Sequence, residues 1–403
     1  PHTDGAVERF FRDHLPAREL YRRTGIQFMP FNTLFQLETL RRNGCTALAE
    51  ADKILFIPDA LSYLLTGKAV CEQTILSTSQ MMNPKTGDLD DGLLSMLRLS
   101  RNHFGTLVQP GTTIGILTPQ VQAATGVGAV PVVSVAGHDT ASAVAAVPAE
   151  DGEYAYLSCG TWSLLGIESR QAIITEDSFR HNFTNEGGLD GTTRFLKNIC
   201  GLWLFENCRK ELKQWASPVQ SSKFYGQSSM VNLPEDVNEL NALCHESQFP
   251  GLIQPDDPSF AHPDSMTEAI CQFCQRTGQP QPEMPADYIR CIFRSLALRY
   301  RQIIEILDGM ADFPIRRLHV IGGGSLNRHL MQWTADATGL PVIAGPSEGT
   351  ALGNTLVQVR AGGGVDSLSD MRRIARRSVE LKSYAPNAST DWDEAYERFQ
   401  ALN

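Results

Sequence analysis

The stretch "RLHVIGGGSLNRHLMQWTADATGLPVIAGPSEGTALGN", from Arg317 to Asn354, limits what this chain can fold into more than any other. It reads as strand, triple-glycine loop, helix, strand, loop and helix. Two strands joined by one helical crossover pair in parallel, and helices must cover the faces of a parallel sheet, so the class is α/β. Gly322, Gly323 and Gly324 fall between strand Leu318 to Ile321 and a helix beginning near Asn327, where an open α/β sheet binds nucleotides. Neither G-x-G-x-x-G nor G-x-x-x-x-G-K-[ST] is present, so a tight strand-to-helix turn accounts for the glycines equally well.

Helical spacing of apolar residues predicts further elements. From Pro285 to Gly309, Ile289, Ile292, Phe293, Leu296, Tyr300, Ile303 and Leu307 recur at threes and fours. Phe31 to Arg42 and Ile54 to Leu65 follow the same rule, and Lys197 to Gln214 is expected to be helical, with Leu202, Phe205, Cys208 and Leu212 on one face. "VPVVSVAGHDTASAVAAV" joins strand Val130 to Val135 through a glycine turn to an alanine-rich helix. Residues 217–284, rich in Pro, Asp, Ser and Gln, are expected to be a surface elaboration without a catalytic role. A chain of 403 residues exceeds one ordinary core. The expected division is one domain over 1–147, a second over 148–370, and a tail with a closing helix over 371–403.

Composition closes off whole classes of function. No apolar run is long enough to cross a bilayer, and a net charge of −10 argues against a broad nucleic-acid surface, so any anionic ligand is held locally. Nine cysteines, an odd number spread along the chain, suit a reducing compartment and point to the cytoplasm. Cys271 and Cys274 form a C-x-x-C with no second pair or histidine cluster at zinc spacing, which favours packing on a helix face; Cys291 keeps a local disulfide open. The opening Pro1-His2-Thr3-Asp4-Gly5 has neither an initiator methionine nor a signal pattern and reads as part of something longer.

Three places carry candidate chemistry. In "YLSCGTWSLLGIES", Tyr156 to Ser169, two apolar arms flank Ser158-Cys159-Gly160-Thr161 where a hairpin turns. The tetrad is either a cheap turn or a place where phosphates approach the backbone and the Thr161 hydroxyl. His138-Asp139 lies at a strand-to-helix junction, where Asp139 either caps the helix or accepts a hydroxyl proton during phosphoryl transfer, with His138 hydrogen-bonded to substrate. Asn198, read as the start of its helix, either opens that helix or meets a sugar hydroxyl.

"AGHDTASAVAAVP", "YLSCGTWSLLGIES", "NEGGLDGTTRFLKNICGLWLFENCR", "RCIFRSLALRYR" and the Gly322 segment, in that order, resemble the rhamnulokinase branch of the FGGY carbohydrate kinases; "FIPDALSYLLTG" and "STSQMMNP" extend the likeness. The resemblance implies a two-domain ribonuclease H-like, actin-like ATPase fold with an incomplete first domain, because the expected Asp-Gly phosphate hairpin and first sheet would precede Pro1. It implies Mg2+ and ATP, with no metal ligand assigned, and transfer of phosphate to the 1-hydroxyl of the ketose L-rhamnulose. In that reading Asp139 is the base, His138, Thr140 and Asn198 meet the sugar, and Gly160, Thr161, Glu206, Gly322, Gly323 and Gly324 meet the nucleotide. Glu206 stands where glutamine is expected, which brings a carboxylate towards phosphates. The resemblance leaves a monomer or a homodimer. A sibling such as L-fuculokinase and a non-catalytic sugar or nucleotide binder are the alternatives, and loss of the first sheet would leave apolar surface exposed.

Overall fold

The structure, a computed structural model, describes residues 2–215, 234–387 and 391–402; the first part of the 217–284 segment lies outside them. The chain forms two compact units. The first takes Pro1–Gly152, Gly166–Lys197 and Glu348–Ser378, and the second Glu153–Leu165, Asn198–Ser347 and Val379–Asn403.

Among the described residues, two apolar clusters lie in the first unit. Phe10, Leu20, Leu34, Phe35, Leu76 and Met81 centre one beneath its N-terminal helices. The other joins Ala136, Ala141 and Ala145 to Leu356, Val357 and Met371. Here helix Asp139–Ala145 lies against helix Gly349–Ala361 so closely that a Cβ on Gly353 would stand 1.7 Å from the Ser142 carbonyl oxygen. Only glycine permits that approach.

Helix Ile57–Thr66 is inverted relative to an ordinary surface helix. Its buried residue is Asp59, whose carboxylate accepts from the Glu72 amide at 3.2 Å, while Ile57 and Leu64 are 76% and 68% exposed. Leu61, Ile116 and Val130 are exposed as well, the last two on or beside the strand pair Thr113–Ile116 and Pro131–Val133 that this helix contacts. Such apolar surface favours association. Sedimentation velocity is expected to show concentration-dependent self-association that Leu61→Glu with Leu64→Glu relieves; a sharp monomeric boundary at every concentration would contradict this.

The second unit contains the parallel arrangement expected from Arg317 onwards. Strand Arg317–Ile321 pairs in parallel with Val342–Ala344 on one side and with Tyr154–Cys159 on the other, and Lys382–Tyr384 adds an antiparallel edge. Helix Pro285–Asp308 buries Ile289, Ile292, Phe293, Leu296, Tyr300, Ile303 and Leu307, the face set by their spacing. Helix Asp391–Gln400 buries Trp392, Tyr396 and Phe399.

Two expectations need correction. Lys197 to Cys200 is not helical: strand Thr193–Cys200 runs through Asn198, and the helix begins at Trp203. Buried Phe195, Leu196 and Ile199 hold the strand, and Gly201 ends it where a Cβ would lie 2.6 Å from the Trp162 backbone. The described part of 217–284 is also more than a surface elaboration. Leu240, Cys244, Leu252, Ile253, Phe260, Ile270 and Phe273 are all buried, so this segment supplies part of the core despite its polar composition. All nine cysteines are free, including Cys271 and Cys274 on helix Met266–Arg276.

Candidate active site

In the first unit, helix Asp139–Ala145 starts with His138 at its N-cap and Asp139 at its first position. Asp139 Oδ1 accepts from the Thr140 amide at 2.6 Å and from the Thr140 hydroxyl at 3.3 Å. The Asp139 side chain is otherwise 80% exposed, so tying one oxygen to the helix's first turn leaves the rest of the carboxylate to solvent.

The loop before the helix is pinned from behind. Glu72, buried and capping helix Gln73–Ser77, accepts from the Gly137 amide at 2.9 Å, and the His138 amide donates to the Thr74 hydroxyl at 3.2 Å. Burial raises the Glu72 carboxyl above its usual range, and it raises Asp59 to about 7. The sequence reading missed both acids, since short polar stretches carry no sign that a carboxylate is turned inward.

His138 packs on a buried ion pair. Its Nε2 lies 3.9 Å from Glu186 Oε2, which in turn contacts Arg194 Nη2 at 3.1 Å; Arg194 has no exposed side-chain surface. The contact is one of charge more than alignment, because Glu186 Oε2 and both Arg194 Nη atoms make no well-angled hydrogen bond. Burial first, and then the Arg194 charge, lower the His138 pKa against the opposing pull of Glu186 and Asp139. The imidazole is thus neutral near pH 7, suited to hydrogen bonding rather than to carrying charge.

In the second unit, a cavity of about 380 Å³ lies among Gly160, Thr161, Phe205, Glu206, Asn241 and Gly323. Gly160 and Thr161 form the two-residue turn between strands Tyr154–Cys159 and Trp162–Ser169. Their carbonyls accept from the Leu202 and Trp203 amides at 3.0 and 3.1 Å, which sets helix Trp203–Trp215 beside the turn. Tyr300, from the long buried helix, holds the hairpin beside its turn through a 2.7 Å hydrogen bond with Ser163.

The three loop glycines divide their duties. Gly322 has φ +87°, and a Cβ on it would stand 2.8 Å from the Cys159 carbonyl oxygen; one on Gly324 would stand 2.2 Å from Cys159 Sγ. Both are required by packing against the neighbouring strand. A Cβ on Gly323 meets nothing within 4 Å, so Gly323 is open. The Glu206 carboxylate is matched by Arg209 at 2.5 Å, which offsets the charge that it would otherwise turn on phosphates. Asn241, which the sequence reading missed, is buried, yet its Oδ1 has no hydrogen-bond partner.

The cavity suits a nucleotide in size and chemistry: apolar Phe205 and Leu326 for a flat base, an unpaired amide oxygen, and an open glycine turn. It offers no cage for Mg2+, since Glu206 is the single carboxylate among its lining residues and is already paired with Arg209. Asn198 lies half-buried on its strand in the second unit, apart in sequence and unit from His138, Asp139 and Thr140.

Two family models match the chain one after the other, and the second spans the segments Gly166–Lys197 and the start of Glu348–Ser378 that pack in the first unit. The family model for the "FGGY family of carbohydrate kinases, N-terminal domain" matches residues 1–146, and its C-terminal counterpart matches residues 155–362. The chain is 51% identical over 400 residues to a protein of Bacteroides thetaiotaomicron named rhamnulokinase, covering 99% of this chain and 78% of that protein. It is 40% identical over 405 residues to a rhamnulokinase of Pectobacterium atrosepticum, covering 100% of this chain and 76% of the relative. A crystal structure of xylulose kinase from Rhodospirillum rubrum superposes with a TM-score of 0.74 at 18% identity, over 99% of this chain and 76% of that one, which shows the two-domain actin-like fold. With both domain models matched in order along one chain and relatives at this identity, the chain belongs to the FGGY family of carbohydrate kinases.

Proposed function

We propose that this carbohydrate kinase transfers the terminal phosphate of ATP to the 1-hydroxyl of L-rhamnulose in rhamnose catabolism. The name borne by its relatives supports the acceptor, and the observation that carries the chemistry is the Asp139 carboxylate, anchored through one oxygen and otherwise open to solvent. In this reading Asp139 accepts the hydroxyl proton as the new P–O bond forms. Neutral His138, with Thr140 and Asn198, hydrogen-bonds the sugar. Gly160, Thr161 and Glu206 meet the phosphates beside the open Gly323, while Gly322 and Gly324 shape the loop that carries it. Mg2+ would enter with ATP, held by phosphate oxygens and water. The nine free cysteines support a cytoplasmic setting.

A coupled ADP-release assay with L-rhamnulose, L-fuculose and L-xylulose tests this, with kcat/KM expected to be highest for L-rhamnulose. A clear preference for another ketose would reassign the acceptor, and no turnover with any would defeat the reading. Asn241 gives a second check. Its unpaired Oδ1 is suited to accept from the adenine amino group, so Asn241→Leu is expected to raise the ATP Kd about tenfold, in line with one lost hydrogen bond in a dry pocket. Calorimetry showing unchanged affinity would remove Asn241 from the base site.

A further inference from the structure

Cys244 and His245 follow helix Val237–Ala242, and His329 lies in the first turn of helix Arg328–Thr338. Cys244 Sγ and one nitrogen from each imidazole lie within 4.8 Å of one another. Among the described residues this is the only group of three side chains so placed to hold a metal ion. The two rings meet edge-on at an interplanar angle of 64°, with His245 Nε2 and His329 Nδ1 2.8 Å apart. Arg328 Nε donates to His329 Nε2 at 3.2 Å, which fixes the His329 proton on Nδ1, from where it is donated to His245. Burial favours neutral imidazoles at both positions, helped by Arg290 and Arg328 at His245 and by His245 and Arg328 at His329.

We propose that Cys244, His245 and His329 form a binding site for a thiophilic divalent transition metal, of which zinc is the representative. One thiolate and two imidazoles supply three ligands of a tetrahedral set, leaving the fourth position to water. The ion takes the place of the proton shared between the rings. That proton moves to His329 Nε2, the Cys244 thiol releases its own to solvent, and Arg328 turns away from the ring. Without an ion, the same atoms make an ordinary histidine-histidine hydrogen bond, which is the competing account.

The placement has a consequence for the neighbouring cavity. Asn241 lies three residues before Cys244, and Asn327 two before His329; both line the 380 Å³ cavity. A bound ion would join the segments bearing these two walls. This coupling rests on the nucleotide reading of that cavity, whereas metal binding does not.

The test is a cobalt titration of the chelator-treated 403-residue chain. One equivalent is expected to produce four-coordinate d–d bands and a thiolate-to-cobalt charge-transfer band, and zinc should displace both. Cys244→Ser should abolish the charge-transfer band, and the exposed His245→Ala should weaken cobalt binding at least tenfold without threatening the fold. No charge-transfer band, or equal binding by the original chain and His245→Ala, overturns the site. ADP calorimetry on the same sample should show a several-fold change in Kd on zinc saturation. An unchanged Kd overturns the coupling, and ADP that binds in neither state overturns it through the nucleotide reading, while the cobalt spectrum still decides the site.

Discussion

Asp139→Asn is expected to lower kcat about a thousandfold while leaving ADP affinity unchanged, as loss of a general base without loss of shape predicts. Asparagine keeps an oxygen that can accept from the Thr140 amide, so helix Asp139–Ala145 should retain its start. What it cannot do is take a proton from a sugar hydroxyl as phosphate arrives. Single-turnover rates and nucleotide calorimetry separate these effects. Near-normal turnover would make Asp139 a helix-capping residue only, and a fall in ADP affinity equal to the fall in rate would point to general disruption instead.

Arg194→Met should cost about 3–5 kcal/mol of stability, the range for breaking a buried ion pair by removing one partner. Arg194 has no exposed side-chain surface, and Glu186 is 6% exposed, so Glu186 would be left as an uncompensated buried charge. Arg194 Nε also donates to the Gly187 carbonyl at 2.9 Å across the antiparallel pair Thr184–Gly187 and Thr193–Cys200, and that bond would go too. The thermal midpoint of the first unit should fall by roughly 10 °C. Pairing the change with Glu186→Gln should recover part of the loss. If the double variant is no better than the single one, packing rather than charge explains Arg194.

Sequence periodicity foretold the elements whose faces are uniformly buried, such as helix Pro285–Asp308 and the parallel strands around Gly322. The hairpin turn at Gly160 and Thr161 is a local signal, but grouping these two with Glu206 comes from the family resemblance; all three line one cavity. Periodicity failed where tertiary contacts decide. Asn198 lies within a strand because Phe195, Leu196 and Ile199 are buried, although the apolar residues after it continue a helical pattern backwards. Asn241 and the Cys244 cluster come from a stretch with little periodicity, and His329 joins them only in three dimensions. Asp59 lies in an amphipathic-looking stretch and nevertheless points inward, since the Glu72 amide there needs an acceptor.

The segmented build of the first unit bears on the order in which a ribosome can finish it. Helix Gly349–Ala361, whose Gly353 abuts Ser142, is made some two hundred residues after the helix it covers, by the numbering. Until helix Gly349–Ala361 has emerged, Ala141 and Ala145 lack their partners Leu356 and Val357, with Met371 and Ala375 completing the cluster later still, and the nascent chain carries that apolar face uncovered through synthesis of most of the second unit. A chaperone that binds exposed apolar chain should therefore be retained on stalled nascent chains ending before residue 348 and released from those extending past residue 378.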